Sequence, residues 1–154
     1  MRIIVEEANA DRLEEDAALF VLLHELGHAF LMDRDVPVLG SAEDAADEFA
    51  SMVAIHVKAP ELVVAGARFF ELTSETANVT ADDPHAPPAQ RAYRVRCLAY
   101  GGAPQSYPDW IKEKKAAATC VDDFKTRDAG WLVMLHDAKA RAVKLTRPPL
   151  SLPR

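Results

Sequence analysis

The sequence predicts a mainly α, single-domain protein with little or no N-terminal sheet. Three observations carry that expectation. Apolar residues recur at helical spacing over long stretches, and proline- and glycine-bearing segments ("RDVPVLG", "TADDPHAPPAQ", "GGAPQSYP") separate those stretches. Only one short run, Ile3 to Val5, reads as a strand. A chain of 154 residues makes about one domain, burying roughly two thirds of its unfolded surface. With 49% hydrophobic and 27% charged residues the composition is that of a globular protein.

The first helix is expected from about Glu14 to Asp33. Phe20, Val21 and Leu31 surround its histidine-bearing face, while Leu19, Leu22, Leu26 and Phe30 cover the opposite side. A helix apolar all round is expected to be buried. Ser41 reads as the N-cap of a second helix, with Asp44 three residues later completing a capping-box pattern. That helix runs from about Ala42 to Lys58 and stops before Pro60. A third covers Glu61 to about Ala77, and a fourth Pro88 to Tyr100, with prolines suited to its first turn. At least one more lies between about Asp109 and Ala140, with a break expected near Ala129-Gly130. Residues 1–140 form the domain; 141–154 read as a basic, Pro-containing, solvated tail, since every charge after Asp137 is positive.

The formal net charge of −6 argues against nucleic-acid binding. No signal peptide follows Met1, and the longest purely apolar run before His24, Ala17 to Leu23, is far short of the roughly 20 residues of a membrane helix. As written, the chain is expected to be soluble and cytoplasmic, with no membrane span. Cys97 and Cys120 are the only cysteines, readable as two thiols or one bridge. Neither belongs to a CxxC pair, which argues against a redox motif or a cysteine zinc site.

The stretch "FVLLHELGHAFLMD", residues 20 to 33, sets polar groups in an apolar helix. Unpartnered, such groups cost about 1–3 kcal/mol each when buried. His24 and His28 are four apart and therefore project only about 40° from each other. At that spacing both imidazoles can reach one metal ion, with Glu25 beside them able to reach a water. Gly27 costs roughly 1 kcal/mol against alanine, which makes sense if another element packs closely there. The competing reading is a pair of hydrogen-bonded core histidines.

A third ligand is needed. A third histidine six residues after the second is excluded, because Arg34 stands there and Leu31 takes the place of the intervening glycine. The acidic helix "SAEDAADEFA" is the obvious donor. Glu43 and Asp47 share a face, whereas Asp44 and Glu48 lie about 100° round. Glu43 is assigned as the ligand and Asp47 as the group orienting a ligand histidine. The reverse assignment, or a merely solvated acidic face, is the alternative. His56 points the wrong way, roughly 220° round the helix from Glu43.

"HELGHAF" followed by "EDAAD" resembles the gluzincin peptidases, with HExxH and then ExxAD. The best fit is to a bacterial metallopeptidase family of unknown function with an HELGHA helix, an EDAAD helix and a later "C…YG" segment, here Cys97 to Gly101. The resemblance covers roughly Phe20 to Trp131. It implies a zincin-like helical core, Zn2+ held by His24, His28 and Glu43, and Glu25 as catalytic base. It also implies a disulfide between Cys97 and Cys120 in an exported protein. "HAPPAQR" is similar to the HPPxxxR segment of the prenyl-protein and heat-shock membrane proteases, which places His85 and Arg91 near the metal as donors to the developing oxyanion. Ala86 stands where those proteases have a proline, and a turn histidine with a surface arginine is the simpler alternative.

Enzymes of this type bind substrate as an added strand on a sheet edge before the HExxH helix. Only a short segment precedes it here, which implies either a shortened chain, whose missing start would hold any signal peptide, or an unusual cleft. The expected function is a zinc-dependent metallopeptidase that hydrolyses peptide bonds in a peptide or protein substrate with metal-activated water. The alternatives are an amidase on a small or cell-wall substrate and a non-catalytic, metal-stabilised binding module. The sequence does not set an oligomeric state.

Overall fold

The computed structural model describes residues 2–38, 40–76, 78, 80 and 83–145, with side chains described within 11–136. Five helices follow one another: α1 (Arg2–Asp33), α2 (Ala42–His56), α3 (Pro60–Ser74), α4 (Pro88–Gly102) and α5 (Lys114–Leu145). Among the described residues there is no strand. The fold is mainly α.

Local chemistry sets the helix ends. The Ser41 hydroxyl accepts from the backbone N–H groups of Glu43 and Asp44 at 3.2 and 3.5 Å and so caps α2. Glu43 and Asp44 also place negative charge at the positive end of the helix. The Asp44 carboxylate turns to Arg94 of α4, so Ser41 is the half of the expected capping box that serves the helix end. Pro60 and Pro88 sit in the first turns of α3 and α4, where a missing N–H costs nothing. Lys58, at φ 60°, takes the left-handed turn that separates α2 from α3.

α1 packs against α2 and α3, and α4 packs against α2, α3 and α5. Phe20, Ala50, Ala54, Val63, Ala67, Phe70, Ala92, Val95 and Ala99 form the core where α1 to α4 meet. Gly66 of α3 lies directly under the Phe20 ring, 2.6 Å from where a Cβ would be, so the ring seats on bare backbone. A second cluster, Leu31, Phe49, Met52, Leu98 and Trp131, brings in α5. A disulfide between Cys97 and Cys120 joins α4 to α5.

Three sequence expectations are corrected. Ile3 to Val5 is not a strand but part of α1, which starts at Arg2; the acidic, alanine-containing segment that follows suits a continuous helix. α5 does not break at Ala129-Gly130: it runs on to Leu145, because one glycine without a following proline costs only about 1 kcal/mol. The rest of the expected tail, residues 146–154, lies outside the described residues. Finally, α1 is not buried all round. Leu19, Leu22 and Leu26 are 48%, 54% and 50% exposed, because α2 and α3 cover only the side that carries Phe20, His24 and Leu31. No described helix is long and apolar enough to cross a membrane.

Candidate metal centre

The centre forms where α1 crosses the first turns of α2. Gly27 permits the crossing: a Cβ there would stand 3.1 Å from the Cα of Ala46, 3.2 Å from its carbonyl oxygen and 3.2 Å from the Cβ of Phe49. With the two backbones this close, groups on facing turns converge. His24 Nε2 lies 3.1 Å from His28 Nε2. Glu43 Oε2 lies 3.2 Å from the first and 3.3 Å from the second. A tetrahedral ion with bonds of about 2.0–2.1 Å needs ligand atoms roughly 3.3 Å apart, so these residues fit such an ion. Two imidazoles and one carboxylate are borderline-soft ligands of a kind suited to zinc, and three protein ligands leave a fourth position open.

Behind His24 lies a charged chain. His24 Nδ1 stands 2.8 Å from Asp47 Oδ1, which leaves Nε2 facing the ligand set. Arg91, near the start of α4, grips the same carboxylate through Nε to Oδ2 and Nη2 to Oδ1, both 2.7 Å. The guanidinium stacks on Phe70, 4.1 Å from the ring centroid. Burial pushes the Asp47 carboxyl up, but the hydrogen bonds from Arg91 and His24 outweigh it and hold Asp47 below its ordinary value. Burial pushes the His24 imidazole down, but the bond to Asp47 and that carboxylate's charge outweigh it, and His24 lies above its ordinary value. The two directions agree: Asp47 is the anion and His24 its donor.

Residues 4–135 match a family described as "Putative metallopeptidase", a span holding all the residues of this centre. The chain belongs to that family. No curated protein and no solved structure matches the chain.

The remaining expected site residues fall in distinct places. Glu25 is exposed on α1 between the two histidines. Asp47 sits against His24, and Glu43 with both histidines. Arg91 bonds to Asp47, behind His24. His85 stands at the rim, its Nε2 3.0 Å from Glu43 Oε2. Its backbone N–H and Nδ1 both approach Asp83 Oδ1, at 2.8 and 3.1 Å. These bonds favour a charged Asp83 carboxylate and hold it below its ordinary value. The sequence reading missed Asp83, although a carboxylate two residues before His85 is the pattern of an Asx-turn. His56 faces away from the site and pairs with Asp128 of α5. A cavity of about 340 Å³, lined by Ser41, Asp44, Asp47, Glu48, Arg94 and Arg127 among others, lies where α2, α4 and α5 meet; neither His24, His28 nor Glu25 borders it.

Proposed function

We propose that this family member is a zinc-dependent peptidase of the gluzincin type, with His24, His28 and Glu43 as ligands and Glu25 as general base. The observation that carries the reading is the convergence of three ligand atoms within 4.8 Å of one another, next to an exposed glutamate one residue from a ligand. When bound, zinc supplies a Lewis acid that polarises the scissile carbonyl and acidifies water at its open position.

The chain does the rest. Asp47 fixes the tautomer and orientation of His24, and Arg91 balances the Asp47 charge. Glu25 removes a proton from the attacking water as its oxygen bonds to the carbonyl carbon. It returns that proton to the amide nitrogen as the C–N bond breaks. His85 stands on the exposed rim with its ring nitrogens turned to Glu43 and Asp83 rather than to the substrate. The substrate is a peptide or protein. The Cys97–Cys120 disulfide supports work in an oxidising compartment.

Elemental analysis of natively purified protein should find about one zinc per chain, lost in His24→Ala. Glu25→Gln keeps size and hydrogen-bonding reach but not basicity. It should retain zinc while hydrolysis of a substrate cleaved by wild type falls at least about 100-fold. Equal turnover by this variant would refute the assignment of Glu25. Zinc held without cleavage of any peptide in a broad library would favour a binding module.

A further inference from the structure

The loop before α4 makes more contacts with the metal centre than a passing connection needs. We propose that Asp83 and His85 form a brace on the Glu43 carboxylate, so that the loop positions a metal ligand from outside the two helices that carry the ligands. This rests on the reading of Glu43 as a ligand.

Two contacts tie the loop to the start of α2, and a third, within the loop, orients the first of them. His85 Nε2 stands 3.0 Å from Glu43 Oε2, the oxygen that also faces His24 and His28. Asp83 Oδ1 takes the backbone N–H of His85 at 2.8 Å and stands 3.1 Å from its Nδ1, which fixes the ring in both position and rotation. The Ser41 hydroxyl donates to the Pro84 carbonyl at 3.3 Å while accepting from the Glu43 N–H at 3.2 Å. One hydroxyl therefore ties the loop to the backbone of the residue that the loop's histidine holds by its side chain. His85 Nε2 is not among the three ligand atoms that lie within 4.8 Å of one another, so we assign its contact to the carboxylate. The arrangement repeats on Glu43 what Asp47 does for His24. Hydrogen bonds to ligating groups from outside the coordination sphere are typically worth about 10–100-fold in metal affinity. His85 is 44% exposed in its side chain, which puts the expected effect near the lower bound, about tenfold.

The test is zinc affinity, measured by chelator competition on the full chain. Wild type, His85→Ala, His85→Gln, Asp83→Ala, the Asp83→Ala/His85→Ala pair and His24→Ala are compared. His85→Ala and Asp83→Ala should each weaken zinc binding about tenfold. The double variant should be no weaker than His85→Ala, because both act through one contact. His85→Gln, which keeps a donor toward Glu43, should recover part of the loss. Zinc-free urea midpoints equal to wild type will show that these exposed positions have not altered the fold. If wild type binds zinc and the His85 and Asp83 variants bind it equally tightly, the brace is refuted while the zinc reading stands. A loss in His85→Ala as large as in His24→Ala would make His85 a ligand and also refute it. If wild type binds no zinc, the functional reading itself falls, and the brace with it.

Discussion

Asp47→Ala removes the carboxylate on which Arg91 and His24 both depend. The side chains of Asp47 and Arg91 are 6% and 13% exposed, so their pair is largely out of water. Deleting one partner of a buried pair costs about 3–5 kcal/mol, chiefly by stranding the other charge. Arg91 keeps its stack on Phe70 at 4.1 Å and some access to solvent, which points to the low end, about 3 kcal/mol. A domain of this size has about 5–15 kcal/mol in all, so the variant should still fold. The assay is urea unfolding of the zinc-free protein, where a slope of about 2 kcal/mol/M turns the loss into a midpoint drop of roughly 1.5 M. A cycle with Arg91→Leu separates the pair from the cavity: the double variant should fall short of the summed single losses by at least about 1 kcal/mol. Zinc affinity should drop about 10–100-fold in Asp47→Ala, since His24 loses its orienting partner. Glu43→Ala should lose zinc more severely. A stability loss below about 1 kcal/mol, or strictly additive single losses, would show that the Asp47–Arg91 pair is not what holds this region.

Two other outcomes follow from the same contacts and from the disulfide. Asp47 titrates below its ordinary 3.8, so its contribution is complete above that value and lost as pH falls through the lower folded value. His24 titrates above its ordinary 6.5, so its contribution is complete below that value and lost as pH rises through the higher folded one. The zinc-free stability difference between wild type and Asp47→Asn should therefore be largest between about pH 4 and 6.5; urea midpoints showing a flat difference from pH 3 to 9 would contradict it. Reduction of the Cys97–Cys120 bridge, whose cysteines are 23 residues apart, should destabilise the fold by about 3 kcal/mol. Equal unfolding midpoints with and without reductant would contradict that figure.

The helices and their order could be read from the sequence because their signals are local. Ser41, Pro60 and Pro88 mark helix starts by chemistry confined to one turn. The facing of His24, His28, Glu43 and Asp47 was legible for the same reason: a spacing of four residues fixes a face whatever the tertiary fold. What escaped depends on pairings distant in the chain. Arg91 meets Asp47 across 44 residues, and no local pattern says whether an arginine near a metal will face the substrate or the back of a ligand. The Leu19, Leu22 and Leu26 stripe looked like core because hydrophobicity alone does not count the neighbours available to cover it. Asp83 is the exception, since its bond to His85 is local and only the link onward to Glu43 is distant in the chain.

The contact of Gly27 with Ala46 bears on how such a centre is filled. Backbones this close, with Phe49 beside them, hold the gap between α1 and α2 by direct contact. On the proposed reading, the centre is a socket, not a clasp. Chelation should empty it without loosening the helices, and refilling is a matter of diffusion and proton release rather than of folding. On that reading, a rigid gap would also select by bond length, tolerating ions of zinc's size and penalising larger ones. Exchange of one small divalent ion for another would then leave the scaffold intact, and the occupant would be governed by what the surroundings supply.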